Sequence, residues 1–287
     1  MTSDLTKVEL SNLDKILYPE LGVTKGQIIE YYIKIAPKML DLLAQRPLVL
    51  TRFPDGIDKE GFYEKDAPMG TPPWVKTLKR FSETANRTIN YVVCDDLDTL
   101  IWMANLASLE VHMTLGQVNS FENPDLLLFD IDPEPPASFD NAVEVALLLK
   151  EKLVSLGLKP YVKTTGKNGL HIVIPIFPQY SFRQTREFAH QVGKYLAHES
   201  PLVVPDFSRT KEPGTIFVDY PQNSHGKTLI CPYSLRATSR ATVSTPLDWH
   251  EIKKGLKPDE LNIFTVPKSV ENPWEDMIEN RQKLGVN

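Results

Sequence analysis

Cysteine is nearly absent: Cys94 and Cys231 stand far apart in 287 residues, and neither has a CxxC partner. This spacing argues against a disulfide scaffold and against a cysteine-ligated zinc site, leaving two structural cysteines. Long apolar runs are missing too. No stretch approaches the ~18 residues of a membrane span, and the opening MTSDLTKVEL lacks the apolar core of a signal peptide, so a cytoplasmic chain is expected. Positive charge is not in excess, with 32 Lys and Arg against 37 Asp and Glu, a net of −5. That excludes the global signature of a nucleic-acid coat protein but not an enzyme with a local basic channel. Internal repeats and low-complexity linkers are also lacking. What remains is an ordinary globular composition, 41% hydrophobic and 24% charged, long enough for one large domain or two closely joined ones. Proline is plentiful, 23 residues, and its clustering at turns predicts many rigid loops.

In the first part of the chain, Thr24 and Gln27 form a capping-box pattern ahead of Ile28, Tyr32, Ile35 and Met39 at helical spacing, with an interruption predicted at Pro37. PLVLTRF (47–53), GFYEK (61–65), NYVV (90–93) and LEVHM (109–113) read as strands, and DDLDTLIWMANLAS (95–108) as a helix with acidic residues at its front. The second part is more regular. A strand at 125–131 precedes a helix from Ser138 to Leu156, with Val143, Ala146, Leu147 and Val154 as its buried stripe. YVKTT (161–165) and LHIVIPI (170–176) flank a glycine-bearing loop, 181–200 is helical, and TIFVDY (215–220) is the next strand. The order β-α-β-β-α-β is the split βαβ pattern of ferredoxin-like and RNA-recognition-motif folds, an antiparallel sheet with helices on one face. An α+β protein is expected, with residues 1–115 a mixed module packed against this sheet.

The stretch LLLFDIDPEP (126–135) holds the sharpest chemical signal. Side chains alternate along a strand, so Asp130 and Asp132 share a face while Phe129 and Ile131 point away. Neighbouring carboxylates repel, and the relief is a bound cation, a shared proton or a basic partner. In the predicted topology the first and last strands can both be central, which brings Asp219 of TIFVDY beside the pair. Three hard oxygen donors suit Mg²⁺ or Mn²⁺ better than zinc, and two such ions ~4 Å apart align a nucleotidyl transfer. The pair alone also fits a simple loop cap before Pro133. The hairpin TTGKNGLH (164–171) adds Gly166 and Gly169, which let backbone N–H groups approach phosphate, and Lys167 and His171, which add charge or donors. PYSLRATSR (232–240) supplies Arg236 and Arg240, suited to bidentate phosphate contacts.

DIDP, TGKNGLH, IFVDYPQN and CPYSLRA, in this order and spacing, resemble the polymerase domain of bacterial DNA ligase D, a member of the archaeo-eukaryotic primase superfamily. The resemblance covers nearly the whole chain, including LSNLDKILYPELGVTKGQIIEYY, and implies a single primase-polymerase domain over 1–287, with 116–287 as the catalytic part and its C-terminal extension. By this resemblance Asp130, Asp132 and Asp219 match the catalytic, metal-binding triad for two Mn²⁺ or Mg²⁺ ions. Thr165, His171 and Arg236 match contacts to the incoming nucleotide's phosphates, and His112 a histidine near that nucleotide. Lys15 and Lys25 match two lysines that hold a downstream 5′-phosphate, and Phe62 and Tyr63 an aromatic pair that stacks at the same junction. Two positions depart from the family pattern. The hairpin has Asn168 before its second glycine and Lys167 one residue earlier, and the usual basic pair before the aromatic-PDG turn is Thr51-Arg52, so only Arg52 carries over.

The implied activity is template-directed filling and extension of DNA ends in non-homologous end joining, with a preference for ribonucleotides and NTP or dNTP as substrate. No ligase or nuclease motif occurs in the chain, so a separate ligase is the implied partner, together with Ku and gapped, 5′-phosphorylated DNA, in the nucleoid and away from membranes. The alternatives are a haloacid-dehalogenase-type phosphatase, whose second aspartate needs Thr or Val two residues on where this chain has Glu134, and a non-catalytic nucleic-acid-binding module.

Overall fold

The computed structural model describes residues 7–82, 85–204, 206 and 212–285, so the first six residues of MTSDLTKVEL lie outside the described residues. The contacts divide the chain into two compact units: residues 1–119, 228–244 and 259–271 in one, and 120–227, 245–258 and 272–287 in the other. The sequence pattern suggests a single boundary near residue 115, whereas the units interleave. A physical reason is visible in the pairing of strand Thr228–Ile230 with strand Ser108–Thr114, which draws the later segment into the first unit.

In the first unit the capping box forms: Gln27 N–H donates to Thr24 Oγ1 at 3.3 Å, and Thr24 N–H donates to Gln27 Oε1 at 2.9 Å. Helix Lys25–Leu43 then runs without a break through Pro37, where the sequence predicts an interruption. Proline removes one helical hydrogen bond, and the buried stripe of Ile28, Ile35, Met39 and Leu43 on both sides of it keeps the helix whole. Asp96 caps helix Leu97–Asn105 by accepting from Thr99 N–H at 2.7 Å. The sheet is ordered Thr228–Ile230, Ser108–Thr114, Pro47–Arg52, Arg87–Val93, Thr77–Ser82, with Phe62–Glu64 also pairing Pro47–Arg52, and all these pairs are antiparallel. Strand Thr77–Ser82 was not legible in the sequence. Its residues TLKRFS alternate only between exposed and half-buried, and Phe81 points outward, so no apolar face announces it.

In the second unit the sheet order is Val203–Val204, Ile216–Val218, Leu126–Pro133, Leu170–Pro175, Tyr161–Thr164, Pro246–Leu247. The four strands of the repeat are antiparallel neighbours, with first and last side by side, as the split βαβ order requires. Helices Phe139–Ser155 and Phe182–Glu199 pack on this sheet and on each other. Leu127, Phe129 and Ile131 are fully buried on the face opposite Asp130. Two details correct the sequence reading. Val154 is 55% exposed and Leu149 and Leu153 are buried instead, because the helical stripe runs through 142, 146, 149 and 153. The last strand is also shorter than TIFVDY, ending at Val218, so Asp219 caps the 3₁₀ turn Tyr220–Asn223.

Candidate active site

In the second unit Asp130 lies mid-strand and Asp132 near the strand's end. Register sets their neighbours: His171 is opposite Asp130, and Phe217 is opposite Asp132. The Asp219 N–H donates to the Asp130 carbonyl oxygen at 2.9 Å, which fixes Asp219 beside the pair although it lies past its own strand. On the other side of Asp130, His171 Nε2 lies 3.2 Å from Oδ1, both side chains largely buried. Lys163 is opposite His171 on the next strand and is fully buried. Directly paired residues share a face, so Lys163, His171 and Asp130 form one polar row across three strands, and Asp130, Asp132 and Asp219 gather at its end as an acidic row. Lys163 was missed in the sequence. Its signal is a cation in the middle of a fully buried four-residue strand.

The electrostatics of the row follow from crowding. Burial first, then the Asp130 carboxylate, push the Asp219 carboxyl up to about 6, with Asp132 adding to the rise; the Gln222 N–H and Lys227 oppose it. Among the described residues no three His, Cys, Asp or Glu side chains stand together as a ready-made metal site. Asp130 and Asp132 share one strand, and Asp219 lies just past the end of the neighbouring one. Their chemistry nevertheless fits a divalent cation, since all the donors are hard carboxylate oxygens and their mutual repulsion is what such an ion relieves.

The glycine hairpin abuts the acidic pair. A Cβ on Gly169 would overlap Asp132 Oδ1 and stand 2.7 Å from the Ile131 carbonyl oxygen, so only glycine fits. Gly166 takes φ +72°, the left-handed region that favours glycine. The Thr165 hydroxyl accepts from Lys167 N–H at 3.3 Å and from Gly169 N–H at 3.2 Å, so this side chain shapes the loop from within. Lys167 and Asn168 are both exposed at the tip.

The remaining sequence-predicted residues lie in the first unit. Arg236 is held by a net of buried polar groups: Tyr18 Oη donates to its carbonyl at 2.9 Å, Tyr31 Oη to that of Tyr233 at 2.7 Å, and Val111 N–H to Ser234 Oγ at 2.8 Å. Arg236 Nε donates to Glu110 Oε1 at 2.9 Å, and His112 Nε2 lies 3.6 Å from Glu110 Oε2. Glu110 was missed, although its place two residues before His112 in an alternating strand puts both on one face.

Lys15 and Lys25 are joined through the backbone, Lys25 N–H donating to the Lys15 carbonyl at 2.8 Å. Lys15 Nζ pairs with Asp55 at 2.8 Å, while Lys25 Nζ donates to the Asn105 carbonyl at 3.2 Å and Ser11 Oγ at 3.3 Å. Burial, and then the Lys15 charge, lower the pKa of Lys25. Lys25 opens the helix, where a cation is poorly placed against the dipole and a bound anion would relieve it. Arg52 bonds Glu64 at 3.0 Å and the Leu106 carbonyl at 3.1 Å. Phe62 and Tyr63 are both more than half exposed.

The family model described as LigD, primase-polymerase domain, matches residues 24–277. The bifunctional non-homologous end joining protein LigD of Bacillus subtilis is 31% identical over 96% of this chain and 45% of its own length. The multifunctional non-homologous end joining protein LigD of Mycobacterium bovis is 36% identical over 86% of this chain and 33% of its own length. The chain thus spans less than half of these relatives. Among solved structures, the polymerase domain from Mycobacterium tuberculosis ligase D in complex with DNA superposes with a TM-score of 0.87 at 31% identity, covering 96% of this chain and 99% of that one.

Proposed function

This chain belongs to the LigD primase-polymerase family of nucleotidyltransferases, and we propose on that premise that it extends and fills broken DNA ends during non-homologous end joining, copying a template. The observation that carries the reading is the acidic row, in which Asp219 is tied to the Asp130 backbone and its carboxyl is forced up to about 6 by burial and its neighbours. Burial and the neighbouring carboxylates raise that carboxyl together, and a bound divalent cation would relieve the crowding.

Asp130, Asp132 and Asp219 would hold two Mn²⁺ or Mg²⁺ ions. Such ions, when bound, acidify an attacking 3′-hydroxyl and neutralise a triphosphate. The protein's own groups do the rest. His171 orients Asp130 through Nε2, Thr165 holds the hairpin open for a phosphate, and Lys167 supplies charge at its tip in place of the family's later lysine. Arg236 and His112 receive the incoming nucleotide. Lys15 and Lys25 take a downstream 5′-phosphate, and Arg52, Phe62 and Tyr63 serve the DNA junction beside it. NTPs are preferred over dNTPs. A separate ligase seals the product, and Ku presents the ends in the nucleoid. No described helix is long and apolar enough to cross a membrane. A dehalogenase-type phosphatase is set aside by the family and by the antiparallel repeat order.

The test is primer extension on gapped, 5′-phosphorylated DNA with NTPs and dNTPs compared in Mn²⁺ and Mg²⁺. Template-matched incorporation, stronger with NTPs, is expected. Phosphate release from a simple monoester without incorporation would overturn the reading.

A further inference from the structure

Glu110 is a carboxylate that neither the acidic row nor the DNA-end residues involve. It sits on strand Ser108–Thr114 opposite Thr51, and only 8% of it is exposed. Its two oxygens serve three groups. Oε1 accepts from Arg236 Nε at 2.9 Å and from the Ala237 N–H at 3.1 Å, and Oε2 lies 3.6 Å from His112 Nε2. The His112 ring in turn meets the exposed Tyr63 edge-on, with ring centroids 6.0 Å apart. Burial alone would push the Glu110 carboxyl up, yet the His112 contact and the Arg236 charge bring it down to about 2, so it stays ionised throughout the working pH range.

A buried ion pair is a weak source of stability, because desolvation consumes most of the Coulomb gain and an apolar pair of equal volume does as well. What the carboxylate supplies is geometry. Contact through Nε fixes the guanidinium plane, the backbone N–H fixes the turn after Arg236, and the second oxygen faces the imidazole as its charged neighbour. We propose that Glu110 is a positioning residue that sets His112 and Arg236 as one clamp for the incoming nucleoside triphosphate. The inference rests on the nucleotide-contact reading of those two residues.

The test is a calorimetric titration of ATP with Mn²⁺ into wild type, Glu110→Gln, Arg236→Gln and the double variant, with extension on gapped DNA measured beside it. Glu110→Gln keeps the shape and removes the charge. Its ATP affinity should fall about 10-fold, as expected when one charge-assisted hydrogen bond is removed. The nucleotide KM should rise in step, while kcat and the affinity for 5′-phosphorylated DNA change little. The double variant should bind ATP no worse than Arg236→Gln, since the two side chains act as a unit. Wild-type ATP affinity in Glu110→Gln, or losses that add in full, would overturn the clamp. Should Glu110→Gln fail to fold, Glu110→Asp, which keeps the charge but shortens the reach, should still lose affinity, and equality with wild type would again overturn it. A wild type that binds ATP but incorporates nothing would sink the polymerase reading alone. A wild type that incorporates nucleotide beside an unaffected Glu110→Gln would sink the clamp alone.

Discussion

Asp219 donates its backbone N–H to the carbonyl oxygen of Asp130 at 2.9 Å, so a residue beyond the end of one strand is pinned to the middle of its neighbour. That bond sets one carboxylate next to two others on purpose-built backbone. Burial and then the Asp130 carboxylate push the Asp219 carboxyl up to about 6.

This shift has a sign that can be measured. Asp219 holds its proton more tightly in the folded state than in the unfolded chain. Below the ordinary value of 3.8 both forms are protonated and nothing is lost. Stability then declines as pH rises from there through about 6, and the full penalty is present above that. Allowing for partial exposure, the penalty is on the order of 1 kcal/mol. Asp219→Asn in EDTA should therefore melt about 2–4 °C higher than wild type at pH 7.5 and no higher at pH 4. Melting curves that stay parallel across this range would refute the assignment.

Gly169 is expected to tolerate no side chain. In Gly169→Ala the new methyl meets the Asp132 carboxylate and the Ile131 carbonyl, one of them backbone. Overpacking of this kind costs roughly 1–3 kcal/mol. Extension should fall more than 10-fold, as expected when a site shifts by about 1 Å. Unchanged activity and melting temperature would show that the hairpin does not rest on the acidic pair as described.

Lys15→Ala and Lys25→Ala should each reduce the preference for 5′-phosphate over 5′-hydroxyl gapped DNA, with binding to the 5′-hydroxyl substrate nearly constant. The salt dependence of binding should also become shallower, by about one unit of slope for each phosphate that is no longer neutralised. Fluorescence anisotropy on the two substrates checks this, and equal losses on both would contradict the end-sensing role.

Phe62→Ala and Tyr63→Ala should leave stability within about 0.5 kcal/mol, because both rings are exposed. DNA affinity should nonetheless drop by ~1–3 kcal/mol for each ring that stacks on a base. Parallel melting and DNA-binding measurements separate the two effects, and unchanged affinity in both variants would remove the junction role.

The parts of the molecule legible in the sequence were those whose signals are local. LLLFDIDP announces a buried strand by its apolar run, and Thr24 with Gln27 a helix start by a capping pattern; the helix starts as read, and the strand runs to Pro133, two residues past the predicted end. The β-α-β-β-α-β order then placed Asp219 beside Asp130 without knowledge of any contact. What escaped depended on distant partners. Strand Thr77–Ser82 is a polar strand recognisable only through its pairing with Arg87–Val93. Glu110 gained meaning from Arg236, 126 residues away, and Lys163 from its register against His171. The interleaving of the two units rests on strand Thr228–Ile230 finding Ser108–Thr114, a pairing with no signature in either segment.

The most direct test is a template-dependent extension assay comparing wild type with Asp130→Ala and Asp132→Ala, each checked for folding and for binding of 5′-phosphorylated gapped DNA. Wild type should insert template-matched nucleotides in Mn²⁺, and both variants should lose insertion by at least ~10³-fold while binding DNA within about twofold of wild type. Insertion by either variant at the wild-type rate would contradict the role given to the acidic row.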